Sequence, residues 1–148
     1  METRVTSAAR ILLGLVFFVF GLNGIGHFFP LPSMEGRAAE FIAGLAASGY
    51  FFPLLFCTYT ILGAALLARR FVPLALTALA PVVVHIVAVH LFLAPSPSGL
   101  AIALFVLWLE VFVAWSYRAA FRPMLRARHE FTPVSHPAHR AQAAGRAS

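Results

Sequence analysis

Apolar residues gather into four long runs, at 11–29, 50–68, 71–93 and 99–117, with short breaks rich in proline, glycine, serine or arginine between them. Each run holds about 20 residues, which at about 1.5 Å per residue reaches across the roughly 30 Å hydrocarbon core of a bilayer. The runs are apolar on all sides. They therefore predict membrane-spanning helices rather than the striped helices of a water-soluble bundle. The breaks support the same division. Pro30 and Pro32 close the first run, and Arg69–Arg70 marks a tight turn between the second and third. Pro53 and Pro73 fall in first turns, and residues 95–99 (Pro-Ser-Pro-Ser-Gly) form the last loop. Pro81 lies inside the third run, so a kink is expected there. It removes the donor for the carbonyl at Thr77, which the Thr77 hydroxyl would help to satisfy.

Between the first two runs, Phe41, Ile42 and Leu45 recur at helical spacing while Glu35, Arg37 and Glu40 fall elsewhere. The segment 33–49 reads as a short amphipathic helix in the first outer loop, lying on the membrane surface, with an ordinary loop as the alternative. Residues 126–148 carry proline, alanine, histidine and arginine without periodicity and read as a disordered basic cytoplasmic tail. Its three histidines are irregularly spaced, so no metal site is expected there. The fold expectation is thus all-α: an integral membrane four-helix bundle over residues 1–125, followed by that tail.

Composition sharpens this picture. Hydrophobic residues make up 61% of the chain and charged residues 11%, against roughly 25% charged in soluble domains. All 11 basic residues are arginine, and they sit at helix ends or in the tail, a placement that suits membrane anchoring and not nucleic-acid binding. Ten of them (Arg4, Arg10, Arg69, Arg70, Arg118, Arg122, Arg126, Arg128, Arg140, Arg146) fall on one side of the predicted topology and only Arg37 on the other. The positive-inside rule then puts both termini in the cytoplasm. The first run is longer than the roughly 7–15 residues of a signal-peptide core and ends in Gly-His-Phe-Phe-Pro, so it reads as a retained helix, a signal anchor being the alternative. The single Cys57 excludes an internal disulfide and a dithiol mechanism. No phosphate-binding loop, serine-hydrolase elbow or zinc-ligand spacing occurs.

Polar groups inside the runs carry the candidate chemistry, because such groups are costly in hydrocarbon. Counting along each helix places Tyr59, His85 and Glu110 within about 5 Å of the midplane. Asn23 lies at similar depth, and His27 and His90 about 10–12 Å toward the outer side. Glu110, the one carboxylate within a run, must be protonated, paired with His85 or hydrogen-bonded to Tyr59. Glu110, His85 and Tyr59 are the candidate catalytic set, suited to proton exchange with a quinone or to a proton relay; a polar clamp between helices is the bland alternative. Asn23, His27 and His90 are candidate cofactor-binding residues. His27 and His90 match in depth, as a bis-histidine haem would require, but one pair at unspecific spacing favours haem less than quinone. Gly14 and Gly21 mark a flat face for close helix packing, which would also serve a homodimer, and Gly63, Ala64 and Ala65 do the same on the second run.

Several motifs then occur in order: Ile11-Leu-Leu-Gly14 through Gly21-Leu-Asn23-Gly24, Pro30-Leu-Pro32, Ser48-Gly49-Tyr50-Phe-Phe-Pro53, Arg70-Phe-Val-Pro73 and Ala80-Pro81-Val-Val-Val-His85 to His90. Over residues 8–125 they resemble the DoxX/DoxD-like family of small four-helix membrane proteins. The resemblance implies association with redox complexes of bacterial membranes, and in one branch thiosulfate oxidation with quinone as acceptor. Relatives commonly carry a glutamate where this chain has Tyr59 and an asparagine where it has His85, while His90 agrees. If that glutamate serves the family's chemistry, this chain either lacks the activity or uses Glu110 and His85 instead. Two readings follow: a redox-associated subunit that interacts with quinone or with an electron-transfer partner on the cytoplasmic face, or a non-enzymatic anchor, scaffold or permeability module.

Overall fold

The computed structural model describes residues 3–30 and 33–121, and these are helical throughout, with no strand among them. The elements are α1 (Arg4–Gly26), α2 (Gly36–Ala47), α3 (Phe51–Leu67), α4 (Val72–Ala88) continued by a π-helical turn (Val89–Leu93), α5 (Pro97–Ser116) and a short α6 (Arg118–Phe121). The four long helices form an up-and-down ring in which α1 packs on α3 and α5, and α4 packs on the same two neighbours. The tail 126–148 lies outside the described residues.

The helix ends explain where the expected boundaries shift. α1 begins seven residues earlier than the apolar run, at Arg4 rather than residue 11, because Thr3 caps it: its hydroxyl accepts the Thr6 N–H at 3.2 Å. It stops at Gly26 rather than at the prolines, because His27 turns left-handed at φ 52° and returns its N–H to the Asn23 carbonyl at 2.7 Å. Pro30 therefore follows the helix end without causing it. α5 starts at Pro97, capped by the Ser96 hydroxyl on the Gly99 N–H at 3.1 Å. The third run is one continuous column, its last turn closing as π-helix with Ala94 N–H on the Val89 carbonyl at 2.9 Å.

α1 and α3 lie unusually close, through glycines. A Cβ at Gly63 would sit 2.5 Å from the Phe18 nitrogen, and one at Gly21 would sit 2.5 Å from the Thr60 hydroxyl. The flat glycine face is thus used within the chain, and is not left for a second copy. The core is the apolar seam among the four long helices: Leu13 and Phe17 of α1, Leu66 of α3, Leu76, Leu79 and Val83 of α4, and Leu109 and Val113 of α5. Outside it, large apolar side chains face away from the protein all round: Ile61 is 66% exposed, Ile102 66% and Trp108 57%. An apolar coat of this extent is consistent with a lipid-facing surface.

Among the described residues, three helices are long and apolar enough to cross a membrane, Arg4–Gly26, Val72–Leu93 and Pro97–Ser116, with a fourth if α2 and α3, bent by 92°, count as one broken span. α3 alone has 17 residues, about 26 Å at helical rise. α2 is amphipathic as expected: Ala38 is fully buried, Phe41, Ile42 and Leu45 are half-buried, and Glu35, Arg37 and Glu40 are exposed. It packs on α3 and on the π-helical turn.

Candidate functional site

Glu110 sits on the face of α5 that turns toward α4. Its side chain is 5% exposed, and its Oε1 has no hydrogen-bond partner among the described residues. It forms part of the wall of a groove of about 400 Å³ along the α4–α5 seam, inside the roughly 300–1,000 Å³ range of small-molecule sites. Leu76, Thr77, Ala80 and Val84 of α4 form one wall, Leu107, Glu110, Val111 and Ala114 the other, and Phe121 closes one end. The α4 residues fall there because positions 76, 77, 80 and 84 share one side of a helix. The groove opens outward between exposed Val84 and Val111.

The α4 wall carries a second polar feature. Pro81 has no N–H, so the Thr77 carbonyl lacks its usual donor four residues on. The Thr77 hydroxyl does not make up the loss. It donates instead to the Pro73 carbonyl at 2.9 Å, contrary to expectation, because a threonine hydroxyl in a helix reaches back and not forward. The polar residues lining the groove are therefore Glu110 and Thr77, whose hydroxyl keeps a lone pair beyond its bond to Pro73. Apart from a proton on Glu110, both offer acceptors.

The other two members of the expected midplane set lie elsewhere. His85 is exposed, its ring 5.8 Å from that of Phe41 on α2. It projects about 100–140° around α4 from Val84 and Ala80, so it turns away from the groove. Tyr59 is half-buried, edge-on to Phe17 at 5.2 Å and to Phe56 at 6.3 Å. No hydrogen bond or ion pair joins Glu110 to His85 or Tyr59; similar depth on different helices does not bring side chains together unless their rotations also agree.

The candidate cofactor residues have structural partners. Asn23 forms a paired clasp on one residue: Nδ2 donates to the Phe29 carbonyl at 3.0 Å and the Phe29 N–H donates to Oδ1 at 2.8 Å. His27 is the exposed cap of α1. His90 is half-buried in the π-helical turn, with Nδ1 2.8 Å from the Ile86 carbonyl. Its ring lies over the first turn of α5, where a Cβ on Gly99 would come within 2.5 Å of Cδ2. Among the described residues no cluster of three or more metal-ligating side chains occurs.

Arg10, expected as a membrane-interface anchor, is 5% exposed and donates to the Leu66 and Leu67 carbonyls at the end of α3. With Thr6 donating to the Ser116 hydroxyl at 3.3 Å, it ties together one end of the bundle. Arg4, Arg69, Arg70 and Arg118 lie at that end, whereas Arg37 lies on α2 at the other. Arg118 lies over the Trp115 ring, 5.6 Å from its centroid. The sequence signals for the groove were Glu110, the one carboxylate in an apolar run, and Pro81; nothing local marked Arg10 as a cap for a helix more than fifty residues away. Comparison with protein-family models, curated proteins and solved structures finds no match to this chain.

Proposed function

We propose that the chain is a multi-pass protein of the bacterial inner membrane, crossing it four times with both termini in the cytoplasm. In this reading it is a redox-associated subunit that holds a quinone-type carrier in the α4–α5 groove. The observation that carries it is the buried carboxyl of Glu110, with Oε1 unpartnered, in an apolar groove. The groove's acceptor groups suit the two hydroxyl donors of a quinol, and a protonated Glu110 would donate to a quinone carbonyl. The motif resemblance to DoxX-like proteins points the same way. The gathering of arginines at the Arg10 end supports a cytoplasmic placement of that end, where a redox protein partner would take or deliver the two electrons while Glu110 relays the two protons in turn to or from water.

The test is thermal unfolding of the purified protein with and without a short-chain quinol. The reading expects stabilisation in the wild type that Glu110→Gln lowers about tenfold or more in apparent affinity, while His85→Ala leaves it unchanged. Equal unfolding temperatures with and without quinol would exclude it.

A further inference from the structure

We infer that the α4–α5 groove is also a site for lipophilic primary ammonium compounds, which exchange there with the Glu110 proton. The inference shares the groove with the quinone reading but not its redox chemistry.

The groove's polar inventory is short. Its walls are apolar except for Glu110 and Thr77. The one hydroxyl donor is already committed to the Pro73 carbonyl. The Thr77 carbonyl has lost its donor to Pro81. What remains is a carboxyl and the free lone pair of the Thr77 hydroxyl in an open, largely apolar groove. A buried carboxylate left alone is costly, so it takes up a proton or a cation. The neighbouring acceptor then selects among cations. A primary ammonium carries three N–H donors and a positive charge, and so can satisfy the carboxylate and a Thr77 acceptor together. A metal ion finds a single carboxylate and no cluster of ligands among the described residues. An ammonium with an aryl or alkyl body leaves that body against Leu76, Val84, Leu107 and Val111, where burial contributes about 25 cal/mol per Å².

Glu110 lies six residues, about 9 Å, from the end of α5 at Ser116. That depth suits a small amphiphile whose whole body enters the groove, and not an aminolipid whose ammonium stays at the headgroup level. The exchange balances without a redox partner. The carboxyl O–H bond breaks, the proton leaves to water, and the ammonium N–H groups bond to the carboxylate. Each cation that enters thus releases one proton.

The experiment places the full-length protein in nanodiscs of phosphatidylcholine and phosphatidylglycerol, free of aminolipid. Phenylbutylamine, its neutral analogue phenylbutanol and its trimethylammonium analogue are titrated calorimetrically, with proton release followed in weak buffer. Expected are saturable amine binding with one proton released per amine at pH values where Glu110 is protonated, and affinity there rising about tenfold per pH unit. The alcohol should bind weakly and without proton release. The trimethylammonium, which lacks N–H donors, should bind more weakly than the amine. Glu110→Gln should lower amine affinity about tenfold to a hundredfold, and Ala80→Phe, which fills the groove and keeps the carboxyl, should abolish saturable binding. The wild-type proton count needs no variant to fold. Amine binding without proton release, or equal binding of amine and alcohol, overturns the inference. A quinol that still stabilises the same preparation would show that only this inference has failed; amine binding with no response to quinol would remove the quinone reading and leave this one standing.

Discussion

Asn23 shows how a polar side chain at membrane depth acquires a structural task. Its amide satisfies both backbone groups of Phe29, holding the chain as it leaves α1. Asn23→Ala loses both bonds, and in a solvent-poor site the two together are expected to cost about 1–2 kcal/mol. A denaturant titration in mixed micelles would show this as a lower midpoint with the helical signal retained beforehand. Arg10 works at greater range: its guanidinium serves the carbonyls ending α3. Arg10→Met should therefore destabilise by about 1.5–3 kcal/mol, the value of a hydrogen bond from a charged donor. The same change at Arg4, which is exposed, should shift the midpoint by less than about 0.5 kcal/mol.

Among the elements, α1 and α3 form the tightest pair. Gly63→Val would drive a branched side chain into the backbone at Phe18 and Gly14, contacts that no rotamer relieves. The pair would separate, with a loss of at least about 3 kcal/mol. Gly44→Ala is the counterpart, since α2 has open space at that position and gains about 0.5–1 kcal/mol of helix stability. Circular-dichroism melts of the two variants should move in opposite directions. Gly63 was legible in the sequence, as were the amphipathic α2 and the donor lost at Pro81, because each depends on spacing within one segment. The site set was legible only in part. Glu110 stood out as the one carboxylate in an apolar run, but its grouping with His85 and Tyr59 did not survive, because depth along a helix axis can be counted whereas rotation about that axis is fixed by packing against neighbours. Taking the first run as helix to Phe29 places Asn23 mid-helix, whereas the left-handed turn at His27 puts it in the last turn.

At the scale of the whole molecule, the chain turns apolar side chains outward on its long helices and keeps its described arginines, Arg37 excepted, at one end. A thin apolar core holds the ring together, and one nearly buried carboxyl lines a groove that faces the apolar surroundings. The central claim is that these surroundings are lipid and that Glu110 is reached from them. The most direct measurement is carboxyl modification in native membranes with two carbodiimides, one lipophilic and one confined to water, followed by mass mapping of the five glutamates at positions 2, 35, 40, 110 and 130. The account predicts that the lipophilic reagent modifies Glu110 and that the water-confined reagent spares it while reacting with Glu35 and Glu40. Modification of Glu110 by the water-confined reagent as readily as Glu35 would contradict it.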